Sequence, residues 1–553
     1  MKKFSFSVIA LIFVSLHPLN SQEMPDDTFI AEETAEETEP ADEIPEISPE
    51  DAIDAQFVIT TFEFDIIKGR TRPYALMYNG EFQAGVILKN KEELEKYIQD
   101  KTQLLLNQRV LEEVFIEYFI DEQASLTEGQ PIPVTLLIHV TGTGNIIVLP
   151  YPKYDSNEGF SITLKARDYN FFGTMSALRV DFGYQYDEEE KHVVNFLIDS
   201  DIPFLAAGLI WRINFDHSIK YTYKEPFYYQ NITGLSVELP WRSTLFNVGF
   251  DQYLTVNEEN SDENIEIYGL ADYTYGAYAT TELFGSWKIP TGVIVGNFGE
   301  LIYTPKITGK INYHKQKMEE PLRPVTSFNH TIGFSRVDWI GNFQKGLDAS
   351  ITNGYNWYLD RTDAPVKISL DGTAAFYWPF NKYIGIYTRL KYRHWWHWSD
   401  KNSGWIPYYF AGDVIRGVVN KDIRANNMLS LNLDIPVRVL RFWPSEWFNN
   451  PKLRFFNFEM FFSPFTDLAL WSGPYSKLKS SRNPTAEKTR FNFKDMISTV
   501  GLEIIVFPGF FRSFYLRGSL GYDIKKIKRD GLPLKWGFFP KWNEVFIGVD
   551  LHY

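Results

Sequence analysis

Arg416 stands out by its company. It lies in GDVIRGVVN (412–420), one permanent cation followed by a glycine among β-branched apolar residues. Loops that face water are usually dotted with Ser, Asn, Asp and Lys, so Ile415-Arg416-Gly417-Val418 is either a greasy hairpin turn or a working part. The remaining chemistry-bearing spacings are weaker. Asp181-Phe182-Gly183 spells a kinase triplet but lies inside an alternating strand, with no lysine strand or catalytic loop to match. Thr141-Gly142-Thr143-Gly144 lacks the Lys-Ser/Thr and the helix of a phosphate loop and reads as a turn. His394 and His397 sit among tryptophans, a setting that suits a strand rim better than a metal site. With no Cys anywhere, thiol nucleophiles, disulfides and iron–sulfur sites are excluded. The chain is therefore expected not to be an enzyme and to need no cofactor or metal.

The elements around these residues come in three styles. Residues 1–21 open with Lys2 and Lys3, carry an apolar run from about Phe4 to Leu16 and end near Ser21. That run is shorter than the roughly 20 residues of a membrane-spanning helix and reads as a secretory signal peptide. Residues 22–55 are rich in Asp, Glu, Pro and Thr, have no Lys or Arg, and account for nearly all of the net charge of −15. They are expected to form a disordered acidic tether. The rest is close to neutral and has no basic stripe, so no nucleic-acid partner is expected.

Residues 56–149 pattern as a small α+β domain. Phe57–Ile67 alternates as a strand, and a short helix is expected near Pro73–Met77. Asn90 with Glu93 forms a capping box ahead of Leu94, Tyr97, Ile98, Leu104 and Leu105 at helical spacing. Two further strands are expected at Val114–Ile120 and Val134–Val140.

From residue 150 to 553 the pattern is strand after strand. In Phe380–Tyr392, Ile384, Ile386, Thr388, Leu390 and Tyr392 share one face, suited to lipid. Tyr383, Gly385, Tyr387, Arg389 and Lys391 share the other, suited to a wet lumen. Similar runs are expected at 161–167, 179–186, 265–275 and 514–522. The aromatic content is 17%, with clusters at strand ends such as RHWWHW (393–398), as in interfacial girdles. Mean hydropathy is −0.24, as expected where only alternate residues face lipid. The fold class read from these patterns is an all-β transmembrane barrel preceded by the α+β domain. About 400 residues at roughly 25 per strand and turn give about 16 antiparallel strands.

Four stretches, in order, resemble the BamA/TamA superfamily, also called the bacterial surface antigen family. IIKGRTRPYAL, with Gly69 after the first strand, resembles a POTRA domain. The stretch 147–174, with Gly173 in its first turn, resembles that family's entry to the barrel. Ile415-Arg416-Gly417-Val418 followed by a strand ending Asp434-Ile435-Pro436 resembles its long lumen loop, with Val418 where the family has an aromatic ring. FFSPFTDLALW (461–471) resembles the strand segment that receives the loop, matching at Phe465 and Asp467 with Ala469 in place of Gly. The ending VFIGVDLHY, with Gly548, Leu551 and Tyr553, resembles the signal by which bacterial barrels are recognised for insertion. The resemblance implies that the loop folds into the lumen and that Arg416 pairs with Asp467, as an arginine shielded from water requires. It also implies a bacterial outer-membrane protein with a periplasmic N-terminal region. Its role would be to insert or export unfolded client proteins, in contact with outer-membrane lipid and periplasmic accessory proteins. The contrasting expectations are a passive porin and a surface antigen or adhesin using loops such as 257–266.

Overall fold

The computed structural model describes residues 56–553 apart from 121–129, 156–158, 187–190, 261–264, 266–268, 314–322, 363–365, 399–407, 412–413, 419–422, 474–490, 514, 531–543 and 550–553. The signal-peptide and tether readings, and Leu551 and Tyr553, lie outside the described residues.

The N-terminal module follows its sequence pattern closely. β1 (Phe57–Lys68) leads to α1 (Pro73–Asn79), a two-residue β2 (Ile87–Leu88), α2 (Lys91–Asn107), β3 (Leu111–Ile120) and β4 (Ile132–Gly142). The sheet order is β2-β1-β4-β3, with β1 and β4 parallel. Asn90 caps α2 by accepting from the Glu93 amide at 2.9 Å. The returning Glu93 carboxylate accepts from the Lys89 amide at 2.9 Å, one residue before the cap itself, so the box is displaced by a residue. Ile59, Leu76, Leu94, Leu105, Leu136 and Ile138 are sealed between helices and sheet. The two periodicities, 3.6 on α2 and 2 on the strands, thus point one apolar set inward.

The wall begins at β5 (Ile146–Asp155) and β6 (Gly159–Asp168), followed by β7 (Leu178–Tyr186), β8 (His192–Ala206) and β9 (Leu209–Thr222). β10 (Tyr228–Trp241), β11 (Thr244–Glu259), β12 (Tyr273–Ile294) and β13 (Glu300–Tyr313) continue it. Then come β14 (Val325–Ile340), β15 (Phe343–Tyr358), β16 (Val366–Pro379) and β17 (Gly385–Trp398). After a small pair, β18 (Tyr409–Phe410) and β19 (Arg424–Ala425), the wall resumes with β20 (Asn427–Asp434) and β21 (Val437–Phe442). It ends with β22 (Phe458–Ser472), β23 (Ile497–Pro508), β24 (Leu516–Asp523) and β25 (Glu544–Val549). Every neighbouring pair is antiparallel, and the sheet closes. No helix among the described residues is long and apolar enough to cross a membrane.

Where about 16 strands were expected, the wall has eighteen among the described residues. β5–β17 supply thirteen, β22–β25 four, and β20 with β21 one, since both pair with β22 on either side of a break at Ile435-Pro436. The wall holds slightly more strands than the spacing suggested because the turns nearest the module are short. Two residues join β8 to β9, β10 to β11, and β14 to β15. The expected strand at 265–275 is also displaced. Asn260 receives the returning chain through Asp272 and Ala271, so the strand starts only at Tyr273.

The two faces follow parity. On β17, Leu390 is exposed on the outer wall, whereas Tyr387 is buried against Tyr377. Outward residues such as Leu164, Phe182, Phe250, Leu283, Ile351 and Leu502 form the exposed apolar belt of a lipid-facing surface. The module seats on the near-side rim of the barrel. Tyr74 donates to the Pro203 carbonyl at 2.9 Å, and Tyr78 to Glu238 at 2.9 Å. Asp100 pairs with Arg336 at 3.1 Å, and Ser513 donates to the Arg109 carbonyl at 2.8 Å.

Candidate functional site

The stretch 414–418 connects wall strands at the end of the barrel away from the module, yet it is as buried as a protein core. Val414, Ile415 and Val418 pack with Tyr409, Ala411, Ala425, Met428, Ala469 and Ile497. The apolar flanks of Arg416 are explained by this: they fill a lumen instead of facing water. Val418 is 3% exposed, so valine serves here as filler, and the aromatic partner comes from the wall. The guanidinium carbon of Arg416 stands 3.8 Å from the centre of the Phe465 ring.

Arg416 itself is 1% exposed. Its Nε donates to Asp467 Oδ2 at 3.0 Å and its Nη2 to Asp467 Oδ1 at 2.6 Å, a bidentate fork. Nη1 and Nη2 also donate to the two oxygens of Asp434 at 2.7 and 3.1 Å, and Nη1 to Glu503 at 3.1 Å. All five guanidinium N–H groups are thereby used, and the Arg416 backbone amide adds a sixth bond to Asp467 at 2.8 Å. Arg517 lies 3.6 Å from Glu503, and Arg389 donates to Asn432 at 3.3 Å on the neighbouring wall. Arg517 and Arg389 thus flank the three acids that Arg416 engages, so none of these buried acids faces the lumen without a cation nearby.

Glycine is required at the contact. Gly417 has φ +80°, and a Cβ there would come within 2.9 Å of the Tyr522 amide nitrogen. Across from it, a Cβ on Gly521 would stand 2.7 Å from Gly417 Cα. Loop backbone therefore lies directly on the backbone of β24, which a side chain on either residue would prevent.

The structure brings Ile415, Arg416, Gly417, Val418, Phe465 and Asp467 into one site. Gly548 lies elsewhere, opposite Arg517 in the β24–β25 ladder. Gly173 is in the turn between β6 and β7, its carbonyl accepting from the Arg72 amide at 2.9 Å. Asp434 and Glu503 were not identified from sequence as partners of Arg416. The available signal was an acidic residue inside an otherwise alternating apolar strand, in NMLSLNLD and in ISTVGLEIIVFP. Chemically the cluster is a lock. Its carboxylates are 0–3% exposed and fully engaged, with no room for a substrate. Among the described residues no group of His, Cys, Asp and Glu is placed to hold a metal ion. His394 lies against Trp396, ring centroids 4.6 Å apart and planes tilted by 41°.

No protein-family profile matches this chain, and no curated protein matches it in sequence. Solved barrel structures are similar to it. BamA from Haemophilus ducreyi lacking POTRA domains 1–3 matches at 13% identity over 89% of this chain and 84% of that one, with a TM-score of 0.37. CdiB from Acinetobacter baumannii matches at 13% over 89% and 74%, TM-score 0.45. CdiB from Escherichia coli matches at 11% over 92% of each, TM-score 0.38.

Proposed function

We propose that this chain is a divergent BamA/TamA-type protein of the bacterial outer membrane. It would insert or export client proteins, its N-terminal module facing the periplasm in the manner of a single POTRA domain. The observation that carries this reading is the pair of prolines at the seam. β24 and β25 pair from Leu516 to Gly521, and β25 closes the barrel on β5, where the described residues include the pair Phe546–Asp155. Pro150 and Pro152 have no N–H to donate. Standing two apart, they face the same edge, and β5 is laddered to β6 along its whole length. The missing donors therefore fall on the edge toward β25. Such an edge leaves backbone groups ready for an incoming strand.

The module supports the same reading, because β3 is the outer strand of its sheet and can take up an extended client by strand addition. A passive porin is disfavoured by a lumen that holds a locked loop. On this proposal no catalysis and no cofactor are involved, and client folding supplies the energy. The test is to deplete the protein and quantify the other outer-membrane barrels by proteomics. Selective loss of a subset of barrels or exported proteins is expected. An unchanged profile, together with a large steady conductance of the purified protein in planar bilayers, would overturn the proposal in favour of a porin.

A further inference from the structure

Where the end of α2 meets the near-side rim there is a cavity of about 720 Å³. Its walls carry Arg109, Lys345, Lys382, Arg438, Arg441 and Arg512, against the one lining carboxylate of Glu459. Glu459 pairs with Arg438 at 2.9 Å, and Glu446, outside the cavity, takes both Nη groups of Arg441 at 2.8 and 3.1 Å. The other four cations have no carboxylate within ion-pair distance among the described residues. Arg109 donates only to neutral oxygens, among them the Gly341 carbonyl at 3.3 Å and the Asn342 side chain at 3.0 Å, while its plane lies over Trp339 at 4.2 Å. Burial, and then the charge of Arg512, push its pKa down to about 10. Arg512 donates to the Glu112 carbonyl at 2.9 Å. Lys345 and Lys382 lie over the rings of Trp378 and Tyr383 at 5.5 and 5.2 Å.

Arg109, Lys345, Lys382 and Arg512 surround one half-enclosed space without a carboxylate in contact, Glu113 acting on Arg512 only from a distance, and a bound anion would offset their mutual repulsion. The arrangement selects among anions. Guanidinium groups and ammonium groups converging from several sides suit a tetrahedral, multiply charged oxyanion better than a planar carboxylate, which one fork already satisfies. The outer margin is apolar. Trp378 is 42% exposed, and an adjoining groove of about 460 Å³ combines Lys382, Arg438 and Arg441 with exposed Val439 and Leu440. Basic side chains beside exposed tryptophan at the end of a lipid-facing wall match the level of phospholipid headgroups.

We infer that this cavity is a binding site for a phosphate group, carried either by an anionic phospholipid headgroup or by a soluble phosphate ester. The inference stands apart from the client-handling proposal, since it concerns neither the seam nor the locked loop.

The test uses the full-length protein in a neutral detergent. Short-chain phosphatidylglycerol, short-chain phosphatidylcholine and glycerol 1-phosphate are titrated by calorimetry at low and high salt. Phosphatidylglycerol should bind, phosphatidylcholine should bind more weakly, and the K345Q/K382Q double variant should lose about tenfold or more in affinity. Both lysines sit at the rim without an ion pair, so the variant should keep the wild-type melting temperature. Tighter binding of phosphatidylglycerol than of glycerol 1-phosphate identifies a lipid as the source. Equal binding of the two, still lost in the variant, identifies a soluble ester. No binding of either anion, or binding indifferent to K345Q/K382Q, overturns the inference.

Discussion

Replacing Arg416 by methionine keeps much of the side chain's length and apolar stem but removes the guanidinium. In the native site that group satisfies Asp434, Asp467 and Glu503 through five side-chain hydrogen bonds, and it lies on the Phe465 ring. Breaking one buried ion pair costs about 3–5 kcal/mol, because the remaining charge stays out of water. Here three carboxylates are left with Arg389 and Arg517 nearby, so protonation or local opening will cap the penalty near that range and the individual losses will not add. A shift of about 3–5 kcal/mol moves the docked-to-undocked ratio of the loop by roughly two to three and a half powers of ten. The Arg416→Met protein, refolded into lipid vesicles, should therefore unfold at lower urea concentration, and a protease added outside should cut near 414–418 where wild type resists. A double-mutant cycle with Asp467→Asn should show a coupling of at least about 2 kcal/mol. Arg416→Lys should fall between, since it keeps the charge but loses the fork. A destabilisation below about 1 kcal/mol with the loop still protected would refute the lock, as would additivity of Arg416→Met and Asp467→Asn.

Gly521→Val should undock the loop as effectively as the loss of Arg416, because its Cβ would overlap Gly417 Cα; protease mapping of the loop reads this directly, while Gly518→Ala, with nothing within 4 Å, is the neutral control. Substituting Pro150 and Pro152 by threonine restores two donors to the seam edge of β5 and should raise the barrel's unfolding midpoint while slowing client insertion in reconstituted vesicles. Arg336→Ala combined with Tyr78→Phe removes a 3.1 Å ion pair and two hydrogen bonds of Tyr78 between module and rim, to Glu238 at 2.9 Å and from Arg212 at 2.6 Å. It should cost about 1–2 kcal/mol of docking and speed hydrogen exchange in α1 and α2, with the barrel unaffected.

Much of the architecture was legible because it rests on local periodicity. The module strands, the helix behind Asn90 and the parity of β17 all follow from spacings of 2 or 3.6 residues. What escaped depended on how distant segments meet. Strand number was legible only approximately, since it needs turn lengths and the two-residue near-side turns carry little signal. The site was half legible. Arg416 was conspicuous as a charge in apolar company, and Asp467 came through a resemblance. Asp434 and Glu503 escaped because one acid in a strand is ambiguous until the register shows that β20, β22 and β23 present all three acids to one point. Val418 shows the converse: a departure from the expected aromatic leaves the loop packed, with valine buried in the same apolar cluster as Ile415, Met428 and Ile497.

The lock and the seam lie close together, and that closeness carries an argument about direction. Arg416 ties the loop to β20, β22 and β23, and Gly417 presses on β24 at Gly521, one strand short of β25. The C-terminal side of the seam is therefore braced from inside by a buried ion-pair cluster. The N-terminal side, β5, has two prolines on its edge toward β25, and the module holds the β6–β7 turn through Arg72 and Gly173. An opening seam would then part between β25 and β5, with the β20–β24 face as the fixed wall. Two engineered cysteine pairs separate the alternatives. A disulfide between positions 546 and 155 should abolish client insertion, whereas one between 518 and 547, inside the β24–β25 ladder, should leave it intact. The opposite pattern would place the moving edge on the braced side and remove the mechanical role given to Arg416.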